Sequence, residues 1–502
     1  MKSALLLFSL IASTFIWAQE FNGYALYNKS NQNTTYLIDK DGGTAHTWSC
    51  TDPCNYTVLM KDDGNIVRGA KYSDNELSGA AIGGLVQEYD PSGDVVWEFV
   101  YSTDEHCSHH DIAINPVNNS VFLTAWEVKS AAELTAAGYA DAGGSDKWPT
   151  HIVEVQPDGS GGGEIIWEWH LWDHMVQDED ASKDNFGVVE DHPELMDINA
   201  VSSGGGGGPG GGDWFHVNGI DYNAQLDQIV FSSRHASEIY IIDHSTTTVE
   251  AASHAGGNSG KGGDFLYRWG NPDNYGAPGV ADIPAACHDA RWVKEGRPNA
   301  GNIQFFNNEG GTGGHSAVDM IVPPLSVDGY NYDYTLGEAY GPAAVDTRHE
   351  CEEDSDGQSA SDRMSNGNIF VAVSGEYMYE ATAAGDVIWS YAEGPQKAFR
   401  YECDHEGVLV VVGDLCGVGI DEHEATHAIT VYPNPSNGMV TIDGLVDLNN
   451  YSVEVIDLQG RIVYATSNEN QLVLDGLDNG IYTVRIFTDQ GIYAVEQITI
   501  NK

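Results

Sequence analysis

Three histidines, His110, His216 and His288, occupy equivalent places in separate segments of the chain. Each stands at the start of an apolar run, in "HHDIAINPVNNSVFLTAWE", "FHVNGIDYNAQLDQIVFSSRH" and "CHDARWVKEGRPNAGNIQFFNNE". Clustered imidazoles can ligate a metal ion, transfer protons or attack as nucleophiles, or fill space and bind water. Three of them at equivalent repeat positions favour a functional site.

An arginine and an asparagine accompany the second histidine. Arg234 lies in "VFSSRH", at the end of the following strand or in its turn, and Asn218 is two residues from His216 on the same strand face. A guanidinium repels a bound metal dication, whereas its forked N–H groups suit a tetrahedral oxyanion. The set therefore favours an oxyanion substrate over a metal, and we predict no metal site.

The elements that must position these residues are repeated hairpins. A strand, an acidic glycine turn and a strand ending in an aromatic residue recur at Tyr36–Trp48, Val86–Phe99, Ile152–Trp169, Ile239–Pro272, Leu325–Pro342 and Tyr377–Tyr391. A second hairpin with an Asp-Gly or Asn-Gly turn follows in Thr57–Ala70 and Arg363–Gly375. Two hairpins per repeat give four strands, so six repeats predict a six-bladed β-propeller rather than the alternative, an array of β-sandwiches. Its innermost strands would bring the histidines together.

Both ends of the chain differ from the repeats. Residues 1–18 have one lysine and an apolar run before Ala18, which predicts a secretory signal peptide. We assign residues 19–420 to the propeller and 421–428 to a linker. Residues 429–502 predict a small β-sandwich-like domain, and their "YPNPSNG", "DLQGRIV" and "LDNGIYTVRI" resemble the C-terminal sorting domain of the type IX secretion system. That resemblance implies export through this machinery to the cell surface or the medium.

Charge and cysteines limit the function further. The formal net charge of −53 disfavours nucleic acid and anionic lipid as partners. No segment of the mature chain is long and apolar enough to span a membrane, and structural calcium in acidic loops is compatible with the composition.

Seven cysteines in an exported chain predict disulfides, with Cys50 and Cys54 as the simplest pair, although connectivity cannot be read from the sequence.

The motifs "HHDI", "DWFHVNGIDY" with "VFSSRH", and "CHDARW" with "IQFFNNE" resemble the bacterial arylsulfate sulfotransferases. These six-bladed propellers move a sulfuryl group from one phenol to another without a nucleotide sulfate donor or another cofactor. The resemblance implies that His288 is the nucleophile and becomes a sulfohistidine, and that the sulfuryl oxygens are held by His110, His216, Asn218 and Arg234. We prefer His110 to His109 because it directly precedes an aspartate, as His288 does. The segment "AFRYE", which contains Arg400, resembles a short arginine-containing motif of the same family.

The predicted activity is therefore ping-pong transfer of a sulfuryl group from a phenolic sulfate ester to a phenolic acceptor. Two alternatives remain open at this stage: a surface propeller that binds ligands without catalysis, and a metal-dependent lyase or hydrolase that uses the histidines. Water is a further acceptor. The acidic stretch 173–197 and the glycine-rich segment 202–213 are either a lid beside the site or solvated insertions.

Overall fold

In this computed structural model the chain divides into two compact units, residues 1–413 and 414–502, and each is described by itself. The predicted signal peptide, the linker, most of the glycine-rich segment and Cys416 lie outside the described residues, and the predicted domain bounds stay predictions. The structure describes residues 21–141, 145–201, 212–279, 284–413, 429–445, 450–457, 461–488 and 491–502.

The first unit is built from four-stranded antiparallel sheets, and its described residues contain six of them. From the inner to the outer strand, sheets 1 to 3 are Cys54–Met60, Ile66–Lys71, Gly84–Tyr89 and Val95–Val100; then His106–Ile114, Val121–Glu127, Thr150–Pro157 and Gly163–His170; then Val217–Asn223, Gln228–Ser233, Glu238–Asp243 and Tyr267–Gly270. Sheets 4 to 6 are His288–Trp292, Ile303–Asn307, Ala317–Ile321 and Thr347–Glu350; then Ala360–Arg363, Ile369–Ala372, Met378–Ala381 and Val387–Tyr391; then Ala398–Glu402, Gly23–Asn28, Thr34–Ile38 and Thr44–Ser49.

Short elements connect the sheets. The helices are Ala131–Ala136, Thr248–Ala251 and Glu406–Val412; the 3₁₀ turns are Leu171–His174, Val189–Asp191, Pro272–Tyr275 and Thr312–Gly314; and a parallel two-stranded pair joins Met175–Val176 to Met196–Asp197.

The two ends of the first unit meet in sheet 6. The inner strand Ala398–Glu402 pairs antiparallel with Gly23–Asn28, so Arg400 lies opposite Ala25. Inner strands of successive sheets contact one another in order, and the sixth contacts the first. The sheets therefore close into a ring, an arrangement that leaves only short, protected sheet edges. The predicted propeller is confirmed.

Burial follows the position of each strand in its sheet. The inner strand His288–Trp292 is buried throughout, whereas the outer strand Val95–Val100 exposes most residues and buries Trp97. Tryptophans of outer strands reach across to backbone carbonyls, as Trp48 Nε1 does to Asp90 O at 2.9 Å and Trp269 Nε1 to Pro342 O at 2.7 Å. The aromatic residues at the hairpin ends therefore link neighbouring segments of the chain through side-chain hydrogen bonds.

Two expectations are wrong. Leu325–Pro342 is not a hairpin: it is a connection with one isolated bridge, Leu325 to Tyr332, and the outer strand of sheet 4 comes later, at Thr347–Glu350. Its tyrosines leave the strand pattern because they pack on Tyr267, with Tyr332 centred 5.1 Å from that ring.

Cys50 and Cys54 do not form the predicted disulfide, since both are free. The two thiols face different backbone groups: Cys54 Sγ donates to Lys29 O at 3.0 Å, and Cys50 Sγ lies 3.9 Å from Trp48 O. Cys403 is disulfide-bonded.

The second unit is a small all-β domain. One sheet joins Thr430–Tyr432, Met439–Asp443 and Gln471–Val473, and the other joins Ile462–Ser467, Ser452–Ile456, Gly480–Thr488 and Gly491–Ile500. Val440, Val455 and Val484 lie in its fully buried core. Within the described residues of the whole chain, no helix combines the length and apolar character needed to cross a membrane.

Candidate active site

The predicted histidines lie on or beside the inner strands of sheets 2, 3 and 4, in each case at a β-bulge. The pairing register shifts between Ser108 and Ile112, between Val217 and Gly219, and at His288. Such β-bulges re-aim side chains and occur beside active sites. The bulges use the left-handed backbone region that most residues avoid. The φ angles are 49° at His110, 51° at His216 and 58° at Asp289.

The bulges bring the histidines into one buried cluster. The rings of His110 and His216 meet edge to face with centroids 4.6 Å apart. His109 also belongs to the cluster, because its Nδ1 lies 2.8 Å from His110 Nδ1 and its ring stacks on Trp126 at 4.2 Å. Convergence from three sheets is what the predicted repeat geometry required.

Burial keeps His109, His110 and His288 neutral. Loss of hydration lowers the pKa of His110 and His288 well below the usual range, and the neighbouring His216 lowers both further. Burial lowers the pKa of His109 to about 3. A neutral imidazole retains a lone pair, which both nucleophilic attack and general-base catalysis require.

His288 has a defined tautomer. Its Nδ1 lies 2.7 Å from Asn308 Oδ1 and 2.8 Å from Ala286 O, and both of these atoms only accept hydrogen bonds. Its Nε2 lies 3.0 Å from the backbone N–H of Gln358, which only donates. Nδ1 therefore carries the hydrogen and Nε2 carries the lone pair.

Arg234 lies beside His288 and under a loop. Its Nη1 donates to Asp356 O at 2.9 Å, and its Nη2 is 3.9 Å from Glu309 Oε1. Gly357 of the same loop packs between them, since a Cβ there would lie 3.3 Å from Arg234 Nη1 and 3.8 Å from His288 Cε1. We call residues 352–359 the acidic loop. Gln358 also borders an open cavity of about 410 Å³.

Asn218 is placed differently from the other predicted residues. It is fully buried; its Nδ2 donates to Cys287 O at 2.8 Å, and its Oδ1 accepts from Ser232 Oγ at 2.7 Å. These bonds hold the backbone just before His288. Its predicted contact with a sulfuryl oxygen remains a prediction.

His216 is paired with a carboxylate. Its Nδ1 donates to Asp213 Oδ2 at 2.6 Å, and Asp213 Oδ1 accepts from Trp126 Nε1 at 3.0 Å. Burial alone would raise the pKa of Asp213, but the charge and hydrogen bond of His216 lower it to about 2. A carboxylate fixed to one imidazole nitrogen orients the ring and sets its tautomer. Among the described residues, His216 Nε2 has no hydrogen-bond partner.

The aspartates that follow two of the histidines serve a buried ion cluster. Lys397 Nζ lies 2.6 Å from both Asp111 Oδ2 and Asp289 Oδ1, and all three side chains are nearly or fully buried. The second oxygen of Asp289 accepts from Ser361 N at 2.9 Å. The "HD" pairs therefore link the inner strands around one ammonium group.

Several residues at the site carry no role in the sequence interpretation. Three of them are Asp213, Asn308 and Lys397. Asp213 and Asn308 lie in the quoted motifs, in "DWFH" and "FFNNE", and the position of Asp213 three residues before His216 could have indicated its role. Tyr56 is another: it is fully buried, meets His110 edge to face at 5.4 Å, and its hydroxyl has no partner among the described residues.

Arg400, the short motif match, packs elsewhere. Its guanidinium lies over the Trp389 ring at 4.1 Å and 4.0 Å from Glu380, so within the described contacts it stabilises sheets 5 and 6.

One metal-type cluster occurs among the described residues. His174, His254 and Asp264 place one ligand atom each within 4.8 Å of one another. It does not include His110, His216 or His288. His174 already uses both nitrogens, toward Asp264 Oδ1 and Ala251 O at 2.8 Å each.

The fold and the cluster define a β-propeller in which histidines of the inner strands converge near an arginine that follows the second strand of sheet 3. Residues 11–323 match the family model described as arylsulfotransferase (ASST), which covers more than half of the chain. The chain belongs to this family, and membership supports arylsulfate sulfotransferase activity in general, with phenolic substrates. Residues 430–501 match the secretion system C-terminal sorting domain, which indicates export to the cell surface or beyond by that machinery.

Comparisons with individual proteins add little. No curated protein matches. Solved structures with similarity include a protein of unknown function from Bacteroides caccae (10% identity, 76% of this chain and 98% of that one, TM-score 0.40). A protein from Lactobacillus plantarum matches at 10% identity over 90% and 98% of the two chains with a TM-score of 0.37. Scores this low carry no argument.

Proposed function

We propose that the protein transfers a sulfuryl group between phenols through a covalent intermediate on His288, in two half-reactions. The observation that supports this most is the tautomer of His288. Its hydrogen is held on Nδ1 by two acceptors, so that the lone pair lies on Nε2, which is capped by the Gln358 N–H of the loop that also contacts Arg234. A neutral nucleophile next to a guanidinium suits attack on an anionic sulfate ester.

In the first half-reaction, the Nε2 lone pair attacks sulfur. The N–S bond forms, the S–O bond to the aryl group breaks, and its electron pair leaves on the phenolate oxygen. Arg234 offsets the charge of the sulfuryl oxygens, and we assign His110, whose ring packs on His216, to the same oxygens. The phenolate takes a proton from His216 Nε2, and Asp213 stabilises the imidazolium that supplies it.

In the second half-reaction, His216 Nε2 accepts the proton of an acceptor phenol. The phenol oxygen attacks sulfur, the N–S bond breaks and its electron pair returns to His288 Nε2. Both half-reactions then use the same groups in reverse order, and ping-pong kinetics follow. No cofactor is required in this scheme, since the nucleophile, the acid and the cationic group all belong to the chain.

The acidic loop must shift when substrate enters. The Gln358 N–H that now caps Nε2 would then lie beside the new N–S bond, where it can donate to a sulfuryl oxygen. The loop carbonyl on Arg234 would be exchanged for a second sulfuryl oxygen.

The test is intact-protein mass spectrometry after brief exposure to an aryl sulfate without acceptor. We expect a gain of one sulfuryl group that added phenol discharges, and no gain in His288→Ala. His192→Ala, which removes an exposed histidine paired with Glu194, is the matched control and should keep the gain.

Two other outcomes would replace the proposal. Activity that a chelator abolishes and zinc restores would favour the metal-dependent reading. Tight binding of aryl sulfate without release of phenol would favour the ligand-binding propeller.

A further inference from the structure

Asn308 connects the proposed nucleophile with the acidic loop. It follows the strand Ile303–Asn307 of sheet 4 and is buried. Its Oδ1 accepts from His288 Nδ1 at 2.7 Å, and its Nδ2 donates to Ser355 O at 2.7 Å and Gln358 O at 3.1 Å. One carboxamide therefore touches both the ring that would attack and the loop that covers it.

The orientation of this carboxamide follows from its partners. Two carbonyl oxygens face one end, so that end must be the NH₂ group, and the oxygen must face His288. A flipped amide would place NH₂ against the Nδ1–H of the proposed tautomer and an oxygen against two carbonyls. The hydrogen on Nδ1 and the lone pair on Nε2 are therefore set partly by Asn308.

The same carboxamide fixes the loop where it meets Nε2. Gln358 gives its C=O to Asn308 and its N–H to His288 Nε2. Gln358 and Ser359 have φ angles of 64° and 82°, which cost energy for residues other than glycine and are held by the surrounding contacts. Ser355, the other anchor, is fixed by Ser316 Oγ through its N–H at 3.0 Å.

We propose that Asn308 is the positioning residue of this site: it holds His288 with Nε2 unprotonated and holds residues 355–358 of the acidic loop against that nitrogen. The inference rests on the proposed function. It assigns a role to a residue that does not touch the reacting sulfur and acts through His288 and the Gln358 backbone.

The neighbouring Asn307 provides a matched control. It is buried to the same extent, its Oδ1 accepts from Ala285 N at 2.8 Å, and its Nδ2 donates to Asp319 Oδ2 at 2.8 Å. It contacts neither His288 nor the acidic loop in the described hydrogen bonds. Asn307→Ala should reduce stability as Asn308→Ala does, without affecting the nucleophile.

Asn308→Asp separates positioning from packing. A carboxylate at Nδ1–H favours the imidazolium, so the pKa of His288 should rise by about one to three pH units. The charged and titratable groups near His288 on other elements include His110, His216 and Arg234, with Glu309 near the guanidinium, and these side chains are not replaced in this variant. Asp356 of the acidic loop is a further charged group, and it would move if the loop is released. The second carboxylate oxygen would face the carbonyls of the loop and should release it.

The experiment uses the full chain and three readouts. Histidine Cε1–H exchange followed by mass spectrometry gives the pKa of His288; backbone hydrogen exchange reports the acidic loop; and the rate of phenol release in the first turnover reports the reaction. In Asn308→Asp, we expect the pKa and the acid limb of the first-turnover rate to move up together. In both Asn308 variants, we expect faster exchange at residues 355–358.

Asn308→Ala keeps the Ala286 carbonyl on Nδ1 but removes a hydrogen bond that raises the pKa of His288, so this pKa should fall rather than rise. The first-turnover rate should fall by about 10², the loss typical of a displaced reacting group. An unchanged His288 pKa in Asn308→Asp, or loop exchange equal to that of Asn307→Ala in both variants, would overturn the positioning role. Absence of phenol release in the wild type with the expected exchange results would overturn the proposed function instead.

Discussion

Replacing Asp213 by asparagine tests whether His216 moves the proton of the phenol. Asp213 Oδ2 accepts from His216 Nδ1 at 2.6 Å, and Trp126 Nε1 holds the other oxygen at 3.0 Å. Asparagine can keep the bond to Trp126, but its NH₂ would face Nδ1. The ring would then carry its hydrogen on Nε2 and lose the negative charge that stabilises its protonated form.

The structure sets the size of the effect. Burial raises the pKa of Asp213, and the charge and hydrogen bond of His216, with smaller effects of His109 and His235, outweigh it and bring the pKa from 3.8 to about 2. At 1.36 kcal/mol per pH unit this net shift corresponds to about 2 kcal/mol, or several tens of fold in a rate that depends fully on the imidazolium. The same replacement in a serine-protease triad costs about 10⁴ because the tautomer is also wrong, so we expect a loss between these values.

The assay is first-turnover phenol release across aryl sulfates whose leaving phenols differ in pKa. A phenol of low pKa departs without a proton, so Asp213→Asn should slow its release little, and the defect should grow as the leaving phenol becomes more basic. Asp227→Asn removes a carboxylate from another Asp–His pair, at His244, and should show no such trend. A defect in Asp213→Asn that is equal for all leaving groups would refute the acid role of His216.

Two further predictions concern the framework of the site. His244 bridges the carboxylates of Glu154 and Asp227. Burial alone would lower the pKa of His244, but the two carboxylates raise it from 6.5 to about 9. The bridge should therefore contribute about 3 kcal/mol to stability below pH 6.5, and this contribution should be lost as pH rises through 9. Urea unfolding of His244→Gln against wild type should show that difference shrinking across this window, and a constant difference would contradict it. Lys397→Met leaves the carboxylates of Asp111 and Asp289 buried without their ammonium and should cost about 3–5 kcal/mol in the same assay; a loss below about 1 kcal/mol would show that water or protonation replaces the lysine.

The architecture could be predicted because it depends on local signals. Turn residues between alternating strands marked most of the hairpins, and the aromatic ends that accompany them are the tryptophans, such as Trp48, that bond to neighbouring segments. Leu325–Pro342 was misread because its tyrosines imitate a strand while they pack on Tyr267 as a connection. Convergence of the histidines followed from repeat geometry alone.

Long-range partners could not be predicted. Asn308 lies 20 positions after His288 and Gln358 lies 70 positions after it, and no periodicity relates either distance to the repeat. Lys397 meets Asp111 across 286 positions because sheet 6 closes the ring. The φ angles at the bulges are equally hidden, since they arise where a strand with an extra residue meets its neighbour.

In the proposed mechanism, the arrangement of charge would allow one buried site to serve two half-reactions. In this scheme an aryl sulfate ester brings one negative charge, which Arg234 would balance, while the proton proposed on His216 would balance the Asp213 carboxylate. When the sulfuryl group moves to His288, the departing phenol carries the proton of His216 away as a neutral molecule. The negative charge left on Asp213 is then balanced by Arg234, and the sulfated imidazole is neutral overall. The total charge is the same before and after each step. Because an unbalanced charge in a buried site costs several kcal/mol, a phenol, which can leave and enter without charge, suits this site better than an acceptor that must arrive as an anion.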